Sequence, residues 1–225
     1  MPTSVPTRIL VAPSGFKESL SPEEVCQAVA AGVRRLLPGA VVVELPLVDG
    51  GEGSAATMAR ATGGDLITTR VTGPVGEPVD SYLAHLGNSA QETWLVEMAA
   101  AAGLRLVPAG MRDPGATTTT SVGELISVAL DNGARRIIIG CGDSGTCDGG
   151  AGALVALGAQ LLDADGHEVE PIGSNLIRVQ RIETSGMDPR LRGVEVLVAG
   201  NMHNLQYRFF CIKKSASDKE TDEIP

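Results

Sequence analysis

The sequence predicts an α/β protein in which helices cover a sheet that contains parallel strands. Its 225 residues are 43% hydrophobic but only 3% aromatic, so the core must consist of Val, Leu, Ile and Ala, the residues typical of buried parallel strands. Short apolar runs alternate with segments of helical periodicity, which is the pattern of a doubly wound fold. The length suits one large domain or two small ones.

The beginning of the chain has the pattern of a β-α-β unit. Arg8–Ala12 is an apolar run that predicts a strand. Ser21, Pro22 and Glu24 then provide an N-cap, a proline in the first helical turn and a capping-box glutamate. The β-branched run Val41–Val43 follows this helix, and we expect it to pair in parallel with the first strand.

The remaining elements suggest a change of domain near residue 65. Downstream we predict a helix ending near Ala61, β-rich segments over Leu66–Met98, a helix over Thr117–Leu130, and strands at Arg136–Ile139 and Val194–Val198. We therefore expect the first part of one domain at 1–65, a second α/β domain at 66–205, and a polar, non-periodic tail at 206–225.

Composition and charge argue against several classes of partner. A formal net charge of -9 disfavours nucleic acid, because nucleic-acid binders need clustered Lys and Arg to contact phosphates. No segment has the roughly 20 apolar residues that a membrane span requires, so we expect no membrane partner. Four cysteines without a CxxC pair predict free thiols and a cytoplasmic protein: Cys26, Cys141, Cys147 and Cys211.

A glycine-rich segment, Gly140–Gly145, lies between a predicted strand and a predicted helix. Its sequence GCGDSG matches the GxGxxG dinucleotide pattern, and Asp163 follows at about the spacing of the acidic residue in that pattern. Bare backbone N–H groups at a helix start also suit any phosphate, and Gly142 and Ser144 are the candidate contacts. A purely structural turn remains an alternative.

Two further loops place an aspartate beside glycines. They are Asp49–Gly53, with the sequence DGGEG, and Asp148–Gly152, with the sequence DGGAG. A carboxylate beside bare backbone can hold a metal–phosphate group or accept a proton from a hydroxyl, although each Asp could simply cap the next helix. The candidate ligand-binding residues are Asp49, Gly50, Gly51, Glu52, Asp148, Gly149 and Gly150.

Cationic and hydroxyl side chains complete the candidate site. Lys17 follows the first strand, where a cation can neutralise a phosphoryl group or a carboxylate, although a lone loop lysine is often merely exposed. Hydroxyls that precede a helix can also bind anions. The candidates of this kind are Ser14, Ser19, Thr118, Thr119 and Thr120. The sequence has no P-loop and no protein-kinase motif, and its scattered histidines predict no zinc site.

Six blocks of the sequence resemble one known family in order and in spacing. They are APSGFKESL (12–20), LPLVDGGEG (45–53), VTGPVGEPV (71–79), VEMAAAAGL (96–104), TTTTSVGELI (117–126) and IIIGCGDSGTCDGGAG (137–152). From about Arg8 to Asn204 the chain resembles the bacterial glycerate kinases of the two-domain type. Because the Gly140–Gly145 segment belongs to a motif of that family, an NAD-binding oxidoreductase becomes the second alternative and a non-catalytic ligand-binding fragment the third.

The resemblance implies phosphorylation of D-glycerate by ATP with a divalent metal, usually Mg²⁺. It also implies a flavodoxin-like domain interrupted by an inserted second α/β domain, the first domain being incomplete here. The catalytic candidates are then Lys17, Asp49 and Asp148, of which Asp49 and Asp148 are also the metal candidates. The hydroxyl and glycine residues named above, with Glu52, become candidates for binding substrate and phosphate.

The sequence departs from the family at its C-terminal end. The segment Val198–Asn204 resembles the family, whose members continue through a further region with a GPQKG motif, but Gln206–Pro225 does not match it. We therefore expect a chain that lacks the C-terminal portion of the family, and whether this chain is active by itself stays open. We also expect apolar surface to be left uncovered.

Overall fold

The computed structural model describes residues 8–16 and 19–200, which form a mixed α/β fold, as predicted. The strands are β1 (Arg8–Val11), β2 (Val41–Glu44), β3 (Asp65–Thr72), β4 (Pro78–Leu86), β5 (Thr93–Glu97), β6 (Arg136–Gly140), β7 (Gln160–Leu162), β8 (Arg181–Glu183) and β9 (Glu195–Ala199). The helices are α1 (Pro22–Leu36), α2 (Ser54–Thr62), α3 (Met98–Ala102), α4 (Thr120–Asp131) and α5 (Ala151–Ala156). The predicted tail at 206–225 lies outside the described residues.

The first β-α-β unit forms as the sequence predicts. Strands β1 and β2 pair in parallel, with Arg8 opposite Val41. The Ser21 hydroxyl accepts a hydrogen bond from the Glu24 N–H at 3.2 Å, and the Glu24 carboxylate accepts one from the Ser21 N–H at 2.8 Å. This capping box fixes the start of α1. The loops after β1 and β2 therefore lie at the same edge of a small parallel sheet.

A five-stranded sheet forms the centre of the molecule, in the order β3-β4-β5-β6-β9. The pairs β3–β4 and β4–β5 are antiparallel, whereas the pairs β5–β6 and β6–β9 are parallel. The carboxyl ends of β5, β6 and β9 consequently share one edge. The segments that follow β5 and β6 meet there, beside the last residue of β9.

Helices cover both faces of this sheet. Alternate strand residues such as Leu83 and Ile137 point to one face, where they pack against Leu125 and other residues of α4. Their neighbours, including Ala84 and Leu95, point to the opposite face and pack against α2. The two-residue period of the strands thus divides the core into two layers.

Strand β9 forms an edge of the sheet and exposes apolar side chains. Val196 and Leu197 are each 43% exposed and Val198 is 68% exposed. Leu10 on β1 and Val41 on β2 are also exposed. Uncovered apolar surface is therefore present, as expected. Within the described part of the chain, no helix has the length and hydropathy needed to cross a membrane.

Candidate functional site

Loops from the β1–β2 sheet and from the five-stranded sheet converge at the carboxyl ends of the parallel strands. We call Asp49–Gly53 the first acidic loop, Gly140–Gly145 the glycine-rich loop and Asp148–Gly152 the second acidic loop. The Gly142 N–H donates to the Gly50 carbonyl at 3.0 Å, and the Cys141 N–H donates to the Ala199 carbonyl at 3.0 Å. The first acidic loop, the glycine-rich loop and the end of β9 are therefore joined through backbone hydrogen bonds.

The glycine-rich loop needs its glycines for this close approach. A Cβ on Gly142 would collide with the backbone of Gly51, and a Cβ on Gly140 would lie 2.6 Å from the Gly50 carbonyl oxygen. The Gly145 N–H donates to the Ala102 carbonyl at 2.8 Å. Packing between loops thus explains the GxGxxG spacing, and no observation supports a dinucleotide at this loop.

A carboxylate from β5 caps helix α2. The N-cap residue, Gly53, has φ 85° and provides no side chain. Instead, the Glu97 carboxylate accepts hydrogen bonds from the Gly53 N–H at 3.0 Å and from the Ala55 N–H at 2.8 Å. Glu97 is 0% exposed, and burial raises its pKa, although these two hydrogen bonds act in the opposite direction. The pKa of Tyr82 is raised to about 12, first by burial and then by the negative charge of Glu97.

Acidic side chains also lie on the exposed side of the first acidic loop. Asp49 is exposed, and its Oδ1 accepts a hydrogen bond from the Gly51 N–H at 3.1 Å. Asp143 has φ 51°, which is uncommon for a residue other than glycine, and its carboxylate accepts from the Glu52 N–H at 3.1 Å. The Glu52 carboxylate pairs with Arg105 at 3.1 Å. Carboxylates therefore receive the N–H groups of Gly51, Glu52, Gly53 and Ala55.

Asp148, in contrast, is buried between two helix starts. It is 1% exposed, and its Oδ2 accepts from the Thr119 N–H and Thr119 hydroxyl, both at 2.7 Å, and from the Gly152 N–H at 3.0 Å. Its Oδ1 accepts from the Gly150 N–H at 3.2 Å. Three of these bonds go to Oδ2 and one to Oδ1, so this buried carboxylate has little acceptor capacity left. Asp148 ties the start of α4 to the start of α5.

Hydroxyl groups line the start of α4. The Thr118 and Thr120 Oγ1 atoms lie 2.9 Å apart, and both side chains are partly exposed. Thr119 is buried, and its Oγ1 accepts a hydrogen bond from the Ala153 N–H at 3.1 Å. Ser144 is partly exposed, with its Oγ 3.1 Å from Thr146 Oγ1. A ligand can therefore reach the hydroxyls of Thr118, Thr120 and Ser144, whereas that of Thr119 is buried.

The structure groups the predicted residues into two neighbourhoods. Gly50, Gly51 and Glu52 lie with Asp49 and Gly142, whereas Gly149 and Gly150 lie with Asp148 and the threonines. The exposed Ser14 belongs to the loop after β1, where the Pro13 carbonyl accepts from the Leu47 N–H at 2.9 Å. Ser19 is exposed, and its N–H donates to the Phe16 carbonyl. Lys17 lies outside the described residues.

Sequence reasoning missed Glu97 and Asp143. Glu97 had a recognisable signal, because it follows the apolar residues 94–96 near the end of the predicted β-rich stretch and precedes an alanine run, so burial could be expected. Asp143 had none, because its left-handed conformation depends on the contact between loops.

One group of potential metal ligands lies in the turn after β7. Among the described residues, one group of three has ligand atoms within 4.8 Å of one another, and it consists of Asp163, Asp165 and His167 in the turn after β7. The predicted metal candidates Asp49 and Asp148 are not in this group. The Asp163 carboxylate accepts from the N–H groups of Asp165 and His167, which explains the turn without a metal.

Comparisons with known proteins agree on one family. The profile of the glycerate kinase family matches residues 9–207. The chain is 48% identical over 197 residues to a glycerate kinase from Bacillus subtilis (strain 168), and 47% identical over 197 residues to a glycerate 2-kinase from Escherichia coli (strain K12). Each match covers 88% of this chain and 51% of the relative. The chain thus spans about half the length of the curated relatives it matches.

A solved structure shares the fold. The crystal structure of a proposed glycerate kinase 2 from Salmonella typhimurium LT2 superposes with a TM-score of 0.75 at 41% sequence identity. The similarity covers 96% of this chain and 60% of that one. With the profile match and the identities to its relatives, it leads to one conclusion: the chain belongs to the glycerate kinase family.

Proposed function

We propose that this chain takes part in the ATP-dependent phosphorylation of D-glycerate to phosphoglycerate in the cytoplasm. The observation that supports this most is the 48% identity to a glycerate kinase over 197 residues, because that similarity extends over most of the chain. We expect the 2-phosphate as product, since a relative of 47% identity is named a glycerate 2-kinase.

The domain arrangement is part of the proposal. We assign β1, α1 and β2 to a flavodoxin-like domain and the five-stranded sheet to an inserted α/β domain. This division is supported by the fact that β1 and β2 form a sheet of their own, separate from the five-stranded sheet. The expected boundary at residue 65 would leave α2 in the first domain. Because α2 packs against the five-stranded sheet, its packing favours a boundary before Ser54.

Asp49 is exposed and Asp148 is buried, and this difference suggests different roles. We propose that Asp49 acts at the reacting hydroxyl or holds Mg²⁺, because it is exposed where the loops converge. Mg²⁺ binds one or two carboxylates and keeps several waters, so an exposed aspartate fits it. Asp148 fits neither task, since its oxygens already accept four hydrogen bonds. We therefore propose that Asp148 positions α4 and α5. Bound Mg²⁺ would neutralise phosphate charge, a task that we also propose for Lys17.

We propose that the phosphates of ATP bind near the start of α4 and not at the start of α2. Free N–H groups at a helix start attract anions, but at α2 the Glu97 carboxylate already receives the N–H groups of Gly53 and Ala55, and the Gly51 carbonyl receives that of Ser54. At the start of α4, in contrast, the hydroxyls of Thr118 and Thr120 are partly exposed and can donate to a phosphate. The exposed Gly149 of the second acidic loop offers bare backbone beside them. Gly50, Gly51 and Gly142 then serve the contact between loops.

An enzyme assay tests the proposal. The purified chain is incubated with D-glycerate, ATP and Mg²⁺, ADP is measured, and enolase is added to detect 2-phosphoglycerate. We expect ADP formation that depends on glycerate, with Asp49→Asn lowering kcat about 100-fold or more. The matched control is Asp165→Asn, which removes an exposed acid from the turn after β7 and should leave the rate unchanged. Absence of glycerate-dependent ADP formation would contradict the proposal for this chain.

A further inference from the structure

We infer that Glu97 is a positioning residue that fixes the first acidic loop, and with it Asp49, by capping α2 from the neighbouring strand. The inference rests on the proposed function, because it assigns Glu97 to the site that contains Asp49. Glu97 is not one of the residues that the sequence predicts for this site. Its role follows from four features of its surroundings.

The first feature is where Glu97 lies. It is the last residue of β5, a strand buried at all five positions. Its position follows from the parallel pairing of β5 with β6, which places Glu97 opposite Gly140, the first residue of the glycine-rich loop. Glu97 therefore lies beneath the edge at which the loops converge.

The second feature is how Glu97 uses both of its oxygens. Oε1 accepts from the Gly53 N–H at 3.0 Å and Oε2 accepts from the Ala55 N–H at 2.8 Å. Such charge-assisted bonds are roughly twice as strong as those between neutral groups. Because Gly53 offers no capping side chain, Glu97 supplies the cap that the loop lacks.

The third feature is the electrostatic setting of the buried carboxylate. The N-terminus of α2 carries a partial positive charge that favours an anion. Tyr82 on the neighbouring strand β4 feels this carboxylate, because the negative charge of Glu97 adds to burial in raising the pKa of Tyr82. Glu52 and Arg105 also influence Glu97, the first as a like charge and the second as an opposite one. The helix N-terminus, the two N–H donors and Arg105 thus favour the charged carboxylate, whereas burial and Glu52 oppose it, and burial is the largest of these effects on its pKa.

The fourth feature is a chain of short contacts from Glu97 to Asp49. The Ser54 N–H donates to the Gly51 carbonyl at 3.1 Å, and the Gly50 N–H donates to the Ser54 hydroxyl at 3.1 Å. Asp49 in turn accepts from the Gly51 N–H. Release of Gly53 and Ala55 would therefore let the whole loop move, including the carboxylate that we place at the reacting hydroxyl.

The chain offers a matched control in Glu124. This residue of α4 is half-buried. Its carboxylate accepts hydrogen bonds from the Thr72 N–H at 2.6 Å and from the Thr72 hydroxyl at 2.8 Å. It thus joins a helix to a strand as Glu97 does, but it belongs to none of the converging loops. A glutamine at either position keeps the size of the side chain and replaces one acceptor oxygen by an NH₂ group.

The experiment compares wild type, Glu97→Gln and Glu124→Gln in the whole chain. Amide hydrogen exchange is measured by mass spectrometry or NMR, together with Tm, kcat and the KM values for ATP and glycerate. We expect Glu97→Gln to speed exchange at residues 50–55 and to lower kcat at least 10-fold, with the KM for ATP changed less than threefold. Glu124→Gln should speed exchange near Thr72 and leave kcat unchanged, even with a similar fall in Tm.

The results distinguish a role of Glu97 in positioning Asp49 from a role in stability alone. A Glu97→Gln variant with normal kcat overturns the inference, as does a fall in kcat that Glu124→Gln reproduces at equal loss of Tm. If wild type shows no turnover, the proposed function fails for this chain, and exchange alone then decides about Glu97. In that case, faster exchange confined to residues 50–55 supports its role as the cap of the loop, and unchanged exchange refutes it.

Discussion

The two acidic loops have almost the same sequence and yet place their aspartates differently. The first acidic loop, DGGEG, exposes Asp49 at the edge where the loops converge, and the second, DGGAG, buries Asp148 beneath two helix starts. Both loops precede a helix whose N-cap is a glycine with φ near 86°, at 85° for Gly53 and 87° for Gly150. Neither the motif nor the local backbone therefore distinguishes an accessible aspartate from a structural one.

The difference arises from the distance along the chain to the N-cap. In the second acidic loop the N-cap is Gly150, two residues after Asp148, so Asp148 reaches the N–H groups of Gly150 and Gly152. In the first acidic loop the N-cap is Gly53, and Asp49 is too far along the chain to cap the helix. The cap comes from Glu97 instead, and Asp49 is left at the surface.

The most direct way to break this comparison is to neutralise each aspartate. Asp148→Asn places an NH₂ group among four donors, and we expect it to lower the free energy of unfolding by about 2–4 kcal/mol, because buried acceptors of several N–H groups are costly to lose. Asp49→Asn should change it by less than about 0.5 kcal/mol, as is usual at exposed positions. Urea denaturation measures both. Similar losses for the two variants would show that exposure does not separate the aspartates.

A second substitution tests the contact between the first acidic loop and the glycine-rich loop. Gly142→Ala would drive a Cβ into the backbone of Gly51, and we expect a loss of about 1–3 kcal/mol in the free energy of unfolding. The control is Gly32→Ala in α1, where no atom lies within 4 Å of the added Cβ. That change should be neutral or stabilising, because alanine favours helix. Equal stability of Gly142→Ala and wild type would mean that the loops are not in contact.

Regular elements could be predicted from the sequence because their causes are local. The capping box at Ser21 and Glu24 fixed the prediction of α1, and the glycine after Thr62 marked the end of α2. Helix α3 was missed because its run of four alanines has no amphipathic period, and the three-residue β8 is too short to show alternation.

The site was harder to predict because it depends on contacts between distant segments. The sequence indicates that Asp49 and Asp148 lie in loops after strands, but the four donors around Asp148 come partly from Thr119, which is 29 positions away. The cap of α2 comes from Glu97, more than 40 positions from Gly53. Local patterns cannot supply such partners, so the sequence assigned the same chemistry to both aspartates.

The smallest expected effect concerns pH and sharpens the account of the first acidic loop. Burial raises the pKa of Glu97 above its ordinary value of 4.5, so the folded state holds this proton more tightly than the unfolded state does. The corresponding contribution to stability is fully present below the unfolded pKa and is lost as pH rises through the folded pKa. The Glu97→Gln variant has no carboxyl group at this position, so its stability should not fall with pH for this reason.

We therefore expect the free energy of unfolding of wild type, relative to Glu97→Gln, to fall as pH rises from about 4 towards neutrality. Urea denaturation at several pH values measures this difference. The part of this free-energy difference that does not depend on pH reports the altered hydrogen bonds to Gly53 and Ala55. The part that changes with pH reports the proton on Glu97. A difference that rises with pH would mean that those two N–H groups stabilise the charge of Glu97 more than burial opposes it.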